Sequence, residues 1–572
     1  MKTMTGFRGG VLLVHFLLVS MFSMAQVTQE WVARFRTSNQ TVGEEATAQA
    51  IDEKGNVYIT GRALGPNANL DYTTIKYNSA GAVQWKARYN GPANGDDNPA
   101  AIAVDKKGYV YVTGTSAGVG SGSDYATVKY NSAGVQIWAA RYNGPGCAED
   151  DAQALLVDND GNVYVTGSSI GKGTLEDYAT IKYGPNGVAK WISRYNGPAN
   201  STDWPAALAL DRNGNVLVTG QSVGNGTGLD YATIKYNSSG VQKWVARYNG
   251  AANDLDIGAS VAVDKGGNVY VTGTTYTGYI PDDPFDLPLL DIATIKYNSA
   301  GMQQWVAIHD ETGGTDEGRS VKLDKDGNAY VMGRLFNSNQ FVDDPDVDYG
   351  VIKYNPAGVK LWVAKYGPPA GTDLECFANG EALDAAGNVY VTGQNGLQEI
   401  ATVKFDKHGG LQWAVTYKNA VNQGAFAVAV DHLGNVYVAG NSDRKDCQGC
   451  MDFVTIKYSQ CDKAVNARMG EQTGNDAVTT MANPFKVTVA PNPAASITKI
   501  YYEMPVDGQV SIQVFDVLGR QISTLVNASQ QAGLHNAEWD VSQLKNGIYM
   551  YRIMVKTDKT VWNESGRISV IK

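Results

Sequence analysis

Cysteine is scarce, with five in 572 residues, too few for a disulfide scaffold. Histidine is equally rare at five. His15 lies near the N-terminus, and His309, His408, His432 and His535 share no spacing. The zinc-protease HExxH, the GxSxG nucleophile elbow, the Walker loop and the dinucleotide fingerprint are all missing, so no catalytic residue is assigned. Basic charge is short as well: Lys+Arg 47 against Asp+Glu 57 gives a net charge of −10. Without a basic block, binding to nucleic acid by counterion release is excluded. Helical periodicity is absent, which excludes helical solenoids. No apolar run approaches the ~20 residues that span a bilayer. The run from Val11 to Phe22 follows Lys2 and Arg8 and precedes Ser23-Met24-Ala25. Residues 1–25 therefore read as a signal peptide cut before Gln26, and the mature chain is expected to have no transmembrane segment.

Glycine, by contrast, reaches 64 and tyrosine 32, and 43% of residues are hydrophobic. Many turns and many aromatic strands point to an all-β protein. A block of the form D-x-x-G-N-V-Y-V-T-G starts at Asp52, Asp105, Asp158, Asp211, Asp264, Asp324, Asp384 and Asp431. A DYATIKYN-like block ends at Tyr77, Tyr130, Tyr183, Tyr236, Tyr297, Tyr354, Phe405 and Tyr458. A third block centres on Trp31, Trp85, Trp138, Trp191, Trp244, Trp305, Trp362 and Trp413. Each unit divides into four short strands, at 100–104, 110–114, 126–130 and 135–142 in the second. Asp105-Lys106-Lys107-Gly108 and Asn131-Ser132-Ala133-Gly134 supply the hairpin turns. Four antiparallel strands repeated eight times predict an eight-bladed β-propeller over residues 26–461. Tyr458 is followed at the usual distance by Asn466 rather than Trp, and the spare Trp block sits at Trp31. The N-terminal strand should therefore complete the last blade and close the ring. Residues 462–485 read as a polar linker, and 486–572 alternate as a small Ig-like β-sandwich of six or seven strands.

The first two blocks resemble the bacterial SBBP β-propeller repeat. The Gly-x-x-x-Trp element, as in Gly240 to Trp244, is similar to the tryptophan-docking element of quinoprotein propellers. Its plain structural reading is a Trp wedged between blades. Quinoprotein dehydrogenases carry an adjacent Cys-Cys pair that this chain lacks, which counts against that activity. The C-terminal module resembles the type A sorting domain of the type IX secretion system of Bacteroidota. Its matching residues are Ala490-Pro491-Asn492-Pro493, Phe515 to Arg520 with Gly519, Leu544 to Tyr549 with Gly547, and a C-terminal Ser569-Val570-Ile571-Lys572. The resemblance implies a protein that passes through the periplasm to the extracellular space or the outer-membrane surface. Its implied partner is the type IX secretion machinery.

Cys447, Cys450 and Cys461 are disulfide candidates near the ring seam, with Cys147 and Cys376 left as free thiols. Acidic residues recur at Asp71, Asp124, Asp177, Asp230, Asp291, Asp348, Glu399 and Asp452, opening third strands. A second set, including Asp97, Asp151, Asp203, Asp256, Asp316 and Asp373, precedes first strands. Both sets should face one side of the disc. They serve either to hold loop amides in Asx-type turns or as carboxylate clusters for calcium. No cofactor is otherwise predicted. The loops 274–290 and 334–347 break the repeat on that side, carrying Tyr276, Tyr279, Asp282, Asp283, Phe285, Phe336, Phe341, Asp343 and Asp344. Aromatics among carboxylates suit sugar rings or cationic groups. The expected function is a secreted or surface binding module, acting as a monomer, for a polysaccharide or a surface protein. The alternatives are a carbohydrate-active lyase or glycosidase using acids on the loop face, and a structural envelope protein.

Overall fold

In the computed structural model the chain forms two compact units, Met1–Lys463 and Ala464–Lys572. The structure describes residues 27–37, 44–279, 288–311, 314–336, 347–367, 376–419, 422–444 and 447–460 of the first. In the second it describes 487–572 apart from 491, 493, 505, 517–519 and 557–560. The expected signal peptide and linker lie outside the described residues.

The first unit contains eight four-stranded antiparallel sheets among the described residues, blades of a β-propeller, and seven of them keep their strands in sequence order. Blade 2 is Asp97–Val104, Val110–Ala117, Ser123–Tyr130 and Gln136–Tyr142. The first three strands run about three residues beyond the expected ends. The ladder continues through Asp97↔Ser116 and Ser116↔Asp124, polar pairs that do not read as strand in the sequence. In blade 8 the order is Val27–Phe35 beside Cys447–Gln460, then Val436–Arg444 and Gln423–Val430. The N-terminal strand thus completes the last blade, as the spare Trp block predicts.

Turn chemistry repeats from blade to blade. The Asp105 carboxylate accepts the amides of Lys107 and Tyr109 at 2.9 Å and the hydroxyl of Tyr111 at 3.0 Å, while Gly108 takes φ 79°. The tryptophans join the blades. Trp191 donates its indole N–H to the Ser238 carbonyl of blade 4 at 3.1 Å, and its ring lies under Gly240, where an added Cβ would come within 2.6 Å. Trp31, Trp85, Trp138, Trp244, Trp305 and Trp362 dock in the same way on the following turn. At the seam Trp413 instead meets the side chain of Gln460 at 3.0 Å. The Gln460 amide also bridges Lys404 Nζ and the Tyr390 hydroxyl of blade 7 and the Gly434 carbonyl of blade 8.

The second unit is a sandwich of a three-stranded sheet (Val487–Ala490, Ile497–Met504, Gly533–Asp540) and a four-stranded one (Gln521–Gln530, Gly508–Phe515, Gly547–Lys556, Val561–Val570). Alternate residues Val510, Ile512 and Val514 share one core with Tyr502, Trp539 and Ile553. Asn492 fastens its loop to the last strand, accepting from Ser569 N–H at 2.8 Å and donating to the Arg567 carbonyl at 2.9 Å. Lys572 N–H is held by Asn546 Oδ1 at 3.0 Å, and Tyr549 packs edge-on against Trp539. Gly547 lies at the start of its strand; Pro491, Pro493 and Gly519 lie outside the described residues.

Candidate functional site

The two acidic sets meet across blade junctions. At most of them the third-strand carboxylate is held by an arginine from the fourth strand of its own blade. The Arg–Asp distances are 3.3 Å for Arg88–Asp71, 2.8 Å for Arg141–Asp124 and Arg194–Asp177, and 2.7 Å for Arg247–Asp230. Arg34 closes the same contact on Asp452 at 3.2 Å. The first-strand carboxylates hold loop amides: Asp97 accepts from Gly91, Asp150 from Gly144, Asp203 from Gly197 and Asp256 from Gly250, all at 2.6–2.7 Å. In blade 3 the residue at this position is Asp150, which faces Ser169 as Asp97 faces Ser116. Asp151, the second of two adjacent aspartates, points instead to Thr115, because neighbouring residues of a strand face opposite sides of the sheet. Asp373 lies outside the described residues. Asp158, whose Asp-Asn-Asp-Gly stretch mimics a calcium loop, is saturated by Asp160 N–H, Asn162 and Tyr164. Burial works to raise its pKa, but these hydrogen bonds outweigh burial and hold it below the ordinary value.

The junction between blades 5 and 6 departs from this pattern. Blade 5 consists of Asp256–Val263, Val269–Tyr279, Pro288–Tyr297 and Gln303–His309; blade 6 starts with Glu317–Leu323 and Ala329–Phe336. Ile308 pairs with Ala293 where Arg247 pairs with Ala232 in blade 4. His309 likewise stands in register where blade 4 has Tyr248, and Asp310 follows where Asn249 does. The arginine is gone and a third acid has arrived. Ligand oxygens of Asp291, Asp310 and Asp316 lie within 4.8 Å of one another. Among the described residues no lysine or arginine forms an ion pair with Asp291 or Asp316. Lys365, which replaces the next arginine, is engaged by Glu311 at 2.5 Å. Glu311 also takes His309 Nε2 at 3.0 Å. Burial and Lys360 hold the His309 pKa below its ordinary value, keeping the imidazole neutral.

Asp316 accepts the amides of Glu311 and Phe336 at 2.8 and 2.9 Å, yet burial pushes its pKa up to about 7, with Asp291 and Asp310 adding repulsion. Burial raises Asp291 to about 6, with Asp310 contributing and a Thr277 hydrogen bond opposing. Asp291 and Asp316 are 4% and 1% exposed, while Asp310 is exposed.

Aromatic residues flank the acids. The second strand of blade 5 runs on beyond Thr275, the partner of Asp291, to Tyr276 and Tyr279. Their rings meet edge-on at 5.5 Å. Tyr276 is buried and supports Tyr279, which is 59% exposed. Phe336 ends the corresponding strand of blade 6, with its amide on Asp316. Asp282, Asp283, Phe285, Phe341, Asp343 and Asp344 lie outside the described residues. Cys450 is disulfide-bonded, and its candidate partners Cys447 and Cys461 have side chains outside the described set. Cys147 and Cys376 are free. No described helix is long and apolar enough to cross a membrane.

Sequence reasoning missed Ile308, His309 and Asp310. The available signal was the tail of the Trp block, where Trp-Val-Ala-Arg-Tyr-Asn at Trp244 becomes Trp-Val-Ala-Ile-His-Asp at Trp305.

Residues 84–120, 137–173, 190–226 and 243–279 match the family model described as beta-propeller repeat, and residues 488–563 match the secretion system C-terminal sorting domain. A WD repeat-containing protein of Acanthamoeba polyphaga mimivirus is 23% identical across 58% of this chain, which spans about a third (32%) of that relative. Among solved structures, a polysaccharide lyase described as an ulvan lyase is similar at TM-score 0.38 and 10% identity. That match covers 73% of this chain and 95% of the lyase. PorZ, a surface component of the type IX secretion system of Porphyromonas gingivalis, matches at TM-score 0.27 and 12% identity, covering 93% and 74%. These likenesses carry no argument about activity. The chain thus carries β-propeller repeats followed by a secretion system C-terminal sorting domain, and that domain indicates export by type IX secretion to the cell surface or extracellular space.

Proposed function

We propose that this protein is an exported binding module whose polysaccharide ligand docks at the edge of blades 5 and 6. One observation carries the reading: at the junction of blades 5 and 6 the repeated Arg–Asp contact gives way to three clustered acids, and the second strand of blade 5 runs on past the partner of Asp291 to an exposed Tyr279 backed by Tyr276. An asymmetric ligand needs such a break. An exposed aromatic face with carboxylates nearby offers stacking and hydrogen bonds to a sugar ring. The raised carboxyls of Asp291 and Asp316 favour a second reading, a glycan-cleaving enzyme. Both are too deeply buried to reach a glycosidic bond, so the binding module is preferred.

The test is incubation of the mature chain with a polysaccharide panel, scoring depletion of protein and release of soluble sugar. Depletion without products is expected, with Tyr279→Ala weakening binding about tenfold, roughly 1.4 kcal/mol. Released products would favour the enzyme; affinity unchanged by Tyr279→Ala would remove the assigned site.

A further inference from the structure

We propose that the junction of blades 5 and 6 is a calcium site, with Asp291, Asp310 and Asp316 as its carboxylate ligands. Sister blades supply the comparison, whichever ligand the propeller binds. The junction chemistry is solved at sister positions by a cation supplied from the chain, the guanidinium of Arg34, Arg88, Arg141, Arg194 or Arg247. Here Ile308 removes that cation, and Asp310 adds a carboxylate where a neutral asparagine stands in blade 4.

A second observation points into the cluster. Asp291 Oδ1 is buried and takes no hydrogen bond among the described residues. Asp177 and Asp230 also leave one oxygen unbonded, but their other oxygen is held by arginine. Asp291 has the Thr277 hydroxyl as a hydrogen-bond partner but no cation among the described residues. An unpaired carboxylate in this setting is costly unless a cation or a proton accompanies it.

The donor set selects the ion. It is all oxygen, as hard cations require, and the nearby His309 nitrogens face Glu311 and Lys360 rather than offering a soft ligand. The three carboxylates each offer an oxygen within 4.8 Å of the others, inside the roughly 4.6–5.2 Å that opposed ligands on calcium can span. Among hard cations calcium gives up its water readily to several carboxylates, whereas magnesium keeps most of its own.

The experiment is calorimetric titration of the chelator-treated full mature chain with calcium chloride, beside Ile308→Arg, Asp291→Asn and, as a control, Asp158→Asn. Ile308→Arg installs the side chain that sister blades already accommodate, so it is expected to fold. The expected result is one saturable site per chain, with Kd on the order of 0.1–1 mM as in extracellular modules. Ile308→Arg and Asp291→Asn weaken it at least tenfold, and Asp158→Asn leaves it unchanged. Absence of a saturable site up to ~10 mM, ten times the weakest such affinity, would overturn the proposal. So would full affinity in both junction variants, the cluster then being kept neutral by protons alone.

Discussion

Glu381 occupies a first-strand position that the register assigns to Ile102, Leu155, Leu208, Val261, Val321 and Val428 in six other blades. Burial pushes its carboxyl up to about 7, against a small opposing pull from Lys322 and Ser320. Near pH 4.5 the group is protonated in most folded chains and half ionised in unfolded ones. As pH climbs towards 7 the unfolded chain ionises freely and the folded one does not, so this residue costs stability with a slope set by linkage. Glu381→Val should therefore raise the unfolding midpoint at pH 8, by on the order of 3 kcal/mol of stability. Its advantage should shrink as pH falls towards 4.5; a midpoint difference independent of pH would contradict the assigned ionisation. At this scale the sequence is readable only by comparing copies. Glu381 and Ile308 carry no signal alone, and both stand out once the repeats are set in register.

The tryptophan and the glycine that receives it form a unit spanning two blades. Gly240 has φ 83° and faces the Trp191 ring, whereas Gly173 has the same φ with open space around it. Alanine at either position pays left-handed strain of about 1 kcal/mol. At Gly240 it must also displace the indole, so Gly240→Ala should cost roughly 2–3 kcal/mol in denaturant unfolding and Gly173→Ala about half that. Equal losses would mean that the docking contact contributes little. Turns and docking were legible because their chemistry is local: an aspartate or asparagine, a glycine, and a tryptophan at fixed spacing. Strand ends were not, since their buried aspartates and serines owe their place to partners on neighbouring strands.

Ring closure rests on pairing between Val27–Phe35 and Cys447–Gln460. Arg34 reaches the carbonyl of Asp443 across 409 positions of sequence. Removing residues 27–35 leaves blade 8 with three strands and an open edge. That variant should lose at least ~5 °C in unfolding midpoint and self-associate in size-exclusion chromatography. A monomer with wild-type stability would show that the latch is dispensable. The closure was readable because a missing tryptophan at one end and a spare one at the other are features of the whole repeat array. The acid cluster between blades 5 and 6 was not, because a blade interface joins residues from two units that the repeat pattern treats separately.

Gln460, the last described residue of the propeller, has a mechanical meaning. Any pull transmitted from the sorting domain enters the ring at this point. Its one side chain grips Trp413, Lys404 and Tyr390 on one blade and Gly434 on the other. Tension at the tether is thus shared between two blades before it reaches the backbone ladder. Loss of that one side chain would therefore loosen two neighbouring blades at once.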